Sequence, residues 1–108
     1  MERKDLTELV HFSEEGAHHE AVFRTRHLWS EILCLDKNQG TDPMTDPEAD
    51  VMLTVVAGEV VIYLDRRFKR FKQWGATVAP AGTGVVVKNS SSEPAVILIV
   101  AAPPPVDV

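Results

Sequence analysis

Thirteen of the fifteen valines in this 108-residue chain lie between residues 51 and 108. Branched side chains lose little freedom on a pleated surface and more against the preceding turn of a helix, so the second half reads as β-sheet. Its apolar runs are short and punctuated. Residues 50–57 and 59–65 flank Gly58 as a hairpin, and Arg66-Arg67 turns the chain into residues 68–72. Further strands are expected at 76–79, before Pro80-Ala81-Gly82, at 85–89, and at 95–102 after the serines at 90–92. Pro103-Pro104-Pro105 then ends the sheet, because proline has no amide to donate to a ladder.

The first half is more polar. Asp5-Leu6-Thr7-Glu8 sets an acidic cap three residues ahead of a glutamate, which predicts a short helix over residues 5–11. A loop follows at 13–16, and residues 21–26 and 27–36 alternate well enough to be strands. Lys37-Asn38-Gln39-Gly40 makes the next turn, and two Asp-Pro pairs mark residues 41–49 as an irregular or edge segment. Eight or so short strands separated by turn residues point to an all-β sandwich or small barrel.

A chain of this length forms one domain and buries roughly two-thirds of its unfolded surface, enough to fold without a disulfide or structural metal. Cys34, the only cysteine, cannot make an internal bridge and reads as a small hydrophobe in the run Ile32-Leu33-Cys34-Leu35. No apolar stretch reaches the about 20 residues of a spanning helix, and the first residues lack a signal peptide's apolar core. The expectation is a cytoplasmic protein that does not enter a membrane. The formal net charge of −5 argues against nucleic-acid binding by phosphate neutralisation. That charge is divided unevenly: residues 1–50 carry twelve acids against five Lys or Arg, and residues 51–108 carry four against six.

Gly58-Glu59, Pro80-Ala81-Gly82 and Asn89 resemble framework residues of the small single-domain cupins, whose two motifs can be laid on the chain. The family's first motif, G-x5-H-x-H-x4-E-x6-G, laid on Gly58, puts Asn38 at the first glycine, Met44 and Asp46 at the histidines, and Val51 at the glutamate. Pro80, Gly82 and Asn89 fit G-x5-P-x-G-x2-H-x3-N, with Val85 at the histidine. The first glycine of that second frame falls on Trp74, with Gly75 one place later, so this end is either shifted by one residue or rebuilt. On these residues the chain resembles that family. The resemblance implies a jelly-roll β-barrel, or double-stranded β-helix, over residues 28–105, with residues 1–27 as an N-terminal helix and strand arm within one domain of 1–108. It also implies a homodimer, for which the strand bearing Val22, Phe23 and Leu28 gives a local reason, since it needs a sheet to join.

Metal-dependent cupins hold their ion with three imidazoles and a carboxylate. A thioether, one carboxylate and two valines are not a site for a catalytic divalent ion, so no metal or other cofactor is expected. By the family's alternation Val51, Leu53 and Val55 face the barrel interior, as do Val85 and Val87, with Met44 and Asp46 near the mouth. That interior is either a binding site for a small apolar or aromatic molecule or simply a packed core. Function is thus read as a binding or structural module without a metal centre. The alternative is an enzyme, an isomerase or lyase using Asp46 and His27 as acid and base, or an oxygenase with relocated metal ligands.

Other side chains have bland readings beside functional ones. His11, His18 and His19 precede the motif region, and adjacent residues 18 and 19 point to opposite faces of a strand. His27, beside Leu28-Trp29, is the best placed of the four histidines to reach the barrel mouth. Arg66, Arg67, Lys69, Arg70 and Lys72 form a basic cluster that either blunts a sheet edge or meets an acidic face, such as the first half of a second copy. Trp29 and Trp74 are core or rim aromatics, or flank a ligand.

Overall fold

Side chains alternate across a strand, so sequence parity decides which residues meet in the core. In the computed structural model, which describes residues 1–105, the elements are a 3₁₀ turn at Leu6–Leu9 and strands β1 (His18–Arg24), β2 (Trp29–Leu35), β3 (Asp50–Ala57), β4 (Glu59–Leu64), β5 (Arg67–Lys72), β6 (Ala76–Ala79), β7 (Val85–Lys88) and β8 (Ala95–Ala102). Residues 106–108, the end of the expected domain, lie outside the described residues. Two antiparallel sheets face each other, a five-stranded one in the order β1-β2-β8-β3-β6 and a three-stranded one in the order β5-β4-β7. Consecutive strands β2 and β3 are not neighbours: β8 lies between them. This is the all-β double-stranded β-helix of a jelly roll.

Between the sheets lie Leu33 and Leu35 of β2, Leu53 and Val55 of β3, Val60 and Ile62 of β4, Val85 and Val87 of β7, and Ile97 and Ile99 of β8. Each fully buried Leu or Ile contributes about 1.5–3 kcal/mol of transfer free energy, so these strands supply most of what holds the sheets together. A second cluster lies on the outer face of the larger sheet, where Val22, Ile32, Cys34 and Val96 are covered by Leu6, Leu9, Val10 and Phe12. The N-terminal segment therefore seals half of that face.

Three sequence expectations need adjustment. The helix expected over residues 5–11 is one 3₁₀ turn, capped by Asp5, whose Oδ1 accepts from the Thr7 amide at 3.0 Å and the Thr7 hydroxyl at 2.7 Å. The first strand begins at His18, three residues before the expected start, because its ladder with β2 runs from His18 opposite Cys34 to Arg24 opposite Trp29. Residues 25–28 form the β1–β2 turn, with the Thr25 amide donating to the Leu28 carbonyl at 2.8 Å, so His27 does not begin a strand. β1 also finds its sheet within the chain, which removes the local reason given for dimerisation.

The frame in which Trp74 stands for a glycine is not shifted. Asn38, Gly58, Trp74 and Gly82, the four positions where the two patterns carry glycine, have φ of 64°, 79°, 73° and 87°. All are left-handed, the region glycine enters without penalty. Gly75 is not among the positive-φ residues, so the tryptophan itself takes the glycine's conformation. At Gly58 space also matters, since a Cβ there would lie 2.8 Å from the Ala95 Cα and closer still to the Pro94 carbonyl.

Candidate functional site

The irregular segment after Gly40 is tied to the free edge of β7. Thr41 and Met44 donate their amides to the carbonyls of Val87 and Val85, both at 2.9 Å, and Val85 donates back to Met44 at 2.7 Å. Met44 and Val85 therefore face each other as a bridged pair. Val51 enters from β3, and the Gly82 amide holds the Asp46 carbonyl at 2.8 Å. Four distant sequence positions, 44, 46, 51 and 85, thus converge on one cavity of about 190 Å³.

The cavity wall is mainly apolar, with Leu53, Ile99 and Trp29 joining Met44, Val51 and Val85, and carries Glu31, Thr45 and Thr83 as polar groups beside Asp46. Leu53 lines it as the sequence suggested. Val55 and Val87 do not; both are fully buried in the core between the sheets.

Asp46 reaches the cavity rim, yet its Oδ1 accepts from the amides of Glu48 and Ala49, each at 2.9 Å. That is the work of a loop cap ahead of proline. His27 is exposed in the β1–β2 turn and does not line the cavity, so it is not brought together with Asp46 as acid and base. The four ligand positions do not fit a divalent metal: a thioether, a carboxylate oxygen holding two amides and two hydrocarbon side chains are the wrong donors. Among the described residues, no three His, Cys, Asp or Glu side chains are grouped to hold a metal ion.

Sequence reading did not place Glu31 at this site, nor the neighbouring Thr45, Thr83 and Ile99. Glu31 on β2 is only 8% exposed and lines the cavity among the apolar groups. Its Oε1 meets His19 Nδ1 at 3.0 Å, and His19 faces an adjoining groove that shares Met44 with the cavity. The hydrogen bond to Glu31 raises the His19 pKa above its ordinary 6.5, against the opposing effect of burial. The signal was present in Trp29-Ser30-Glu31-Ile32-Leu33, where Glu31 shares the core-facing parity of Leu33.

The remaining candidates stand apart. His18 is 3.4 Å from Glu20 and packs edge-on against His11, with ring centroids 4.9 Å apart. In the basic hairpin around β5, Arg70 pairs with Glu59 at 3.1 Å. Trp74 is 73% exposed and Trp29 is a cavity wall. Cys34 is buried in the outer cluster, and burial pushes its thiol pKa up. Among the described residues no helix is long and apolar enough to cross a membrane.

No protein-family model and no curated protein sequence matches the chain. Solved structures do. The TT1209 protein of Thermus thermophilus is similar at 30% identity and a TM-score of 0.92, over 97% of this chain and 100% of that one. A conserved protein with a double-stranded β-helix domain from Klebsiella pneumoniae superposes with a TM-score of 0.89 at 20% identity, over 95% of this chain and 90% of its own. An RmlC-like cupin from Desulfovibrio desulfuricans does so with a TM-score of 0.86 at 21% identity, over 96% and 98% of the two chains. With the jelly-roll topology shared along almost the whole length, the chain belongs to the small single-domain cupins.

Proposed function

We propose that this cupin is a binding module that takes a small apolar molecule, about the size of one aromatic ring, into the cavity at its barrel mouth, with no metal taking part. The observation that carries this is the cavity itself. Its volume of about 190 Å³ exceeds the roughly 150 Å³ that suffices for benzene in an engineered apolar cavity. Met44, Val51 and Val85 line it at positions where the metal-binding motif carries histidine or glutamate, and Trp29 adds an aromatic wall.

Thermal denaturation in the presence of toluene tests the reading. A ligand at 100 times its Kd stabilises the folded state by about 2.7 kcal/mol, so Tm should rise with toluene concentration. Val51→Phe, which fills the cavity, should abolish that rise while the protein still melts cooperatively. A Tm independent of toluene in the wild type would refute the reading.

The module is also proposed to pair as a homodimer. Met52 and Val78, opposite each other on β3 and β6, are 44% and 56% exposed on the half of the outer sheet face that the N-terminal segment leaves bare. Apolar residues clustered on one face support self-association. Light scattering at micromolar concentration should give twice the chain mass, falling to the monomer in Met52→Glu. A monomeric wild type would refute pairing.

A further inference from the structure

We infer that the ligand of this cavity carries a hydrogen-bond donor, a hydroxyl or amine on its apolar body, which Glu31 receives. The inference rests on the cavity-binding reading above and specifies the chemistry of its ligand.

Glu31 is a carboxylate in a wall otherwise made mainly of hydrocarbon and an indole face. Burying such a group is expensive unless it is paired, and His19 supplies one partner, at Oε1. His19 is itself exposed, so the pair is screened by solvent and stability alone is a weak reason to keep a carboxylate here. β2 otherwise sends Leu33 and Leu35 to this face, and a leucine at position 31 would complete the core. The chain instead places an acceptor there.

A carboxylate offers about four lone-pair sites, and the one contact it makes among the described residues, with His19, leaves acceptor capacity on a group that lines the cavity. His19 holds Glu31 from the groove side, where it stands with Ala17, Thr41 and Met44. That contact fixes the carboxylate's orientation without filling the cavity. A donor on the ligand would complete the shell of Glu31, whereas an anion would meet a like charge and an ether would leave the carboxylate facing its own lone pairs. The cavity thus combines an acceptor at Glu31, with Asp46, Thr45 and Thr83 also in its lining, with apolar contact over most of its wall, the usual division of labour in a small-molecule site.

Isomeric probes separate this inference from the simpler reading. Benzyl alcohol and anisole share one formula, and only the alcohol donates a hydrogen bond. Calorimetric titration of the full chain with toluene, anisole and benzyl alcohol, in wild type and Glu31→Gln, is the test. The alcohol should lose about tenfold in affinity on Glu31→Gln, as befits a hydrogen bond to a charged acceptor, while toluene and anisole change less than about threefold. Toluene binding with an alcohol affinity unaffected by Glu31→Gln would overturn the inference and leave the cavity reading standing. Failure of all three probes to bind would overturn both. Should Glu31→Gln not fold, the wild type decides alone: benzyl alcohol must bind more tightly than anisole, and the reverse order overturns the inference.

Discussion

Asn89 offers the sharpest check on how the fold is held. The side chain is 1% exposed where β7 leaves the barrel, and its amide nitrogen donates to the carbonyls of Leu35 at 3.0 Å, Glu93 at 2.7 Å and Asp36 at 3.3 Å. Its Oδ1 accepts from the amide of Ser91 at 3.0 Å and the Ser91 hydroxyl at 2.7 Å. One side chain thereby pins the end of β2, the β7–β8 turn and the entry to β8. Asn89→Ala removes all of these bonds and leaves the buried Leu35 carbonyl without this donor. At about 1 kcal/mol for each of four good hydrogen bonds, the loss is about 4 kcal/mol. With roughly 4 °C per kcal/mol for a domain near this size, Tm should fall by about 15 °C. Urea denaturation should show the midpoint falling at unchanged slope. Two companions sharpen the test. Ser91→Ala removes only the hydroxyl and should cost less than about 1 kcal/mol. Asn89→Asp keeps the acceptor for Ser91 but points a carboxylate at three carbonyl oxygens, so it should not restore stability. An Asn89→Ala variant within about 1 kcal/mol of wild type, or a fully stable Asn89→Asp, would refute the argument.

Trp74 is held at φ 73° with most of its ring in solvent. Trp74→Gly should relieve about 1–2 kcal/mol of backbone strain against about 0.4–1 kcal/mol of added unfolded-state entropy, a net gain of about 0.5–1 kcal/mol by urea titration; a lower midpoint contradicts this. Because the folded His19 pKa is raised by Glu31, the stability it contributes is fully present below about pH 6.5 and is lost as pH rises through the raised value. His19→Gln should therefore cost more stability at pH 5.5 than at pH 8.5, and an equal cost at both would count against the pairing. The buried Cys34 thiol should resist iodoacetamide in the native protein and react at once in urea; rapid native alkylation would show that the outer cluster opens.

Most of the barrel was legible because its strands obey a two-residue period. Val51, Leu53 and Val55 face inward, Met52 faces outward opposite Val78, and the turns at Asn38, Gly58 and Pro80-Ala81-Gly82 fall where those residues mark them. The two spaced patterns also foretold a convergence in space, since Met44, Asp46, Val51 and Val85 line one cavity. What periodicity could not convey was depth. Val51 and Val55 share a face, yet only the first reaches the cavity, because the loop after Gly40 stops closing over β7 at Met44 and Val85. Nor could it supply partners across the sheet. His19 and Glu31 are joined by the β1–β2 register, twelve residues apart in sequence, and His27 was misplaced because Thr25 ties its hydroxyl to the Leu28 amide and closes a turn there. Trp74 was ambiguous for a different reason: a bulky residue in a left-handed conformation looks like a missing glycine until its backbone is seen.

The claim that the converted metal position is an apolar binding cavity is tested most directly with methyl-labelled methionine in NMR. Met44 lines the cavity, while Met52 lies on the opposite, solvent-facing side of β3. Titration with toluene should shift the Met44 methyl resonance saturably and leave Met52 in place. A Met44 signal that does not move, or a Met52 signal that moves equally, would contradict the account.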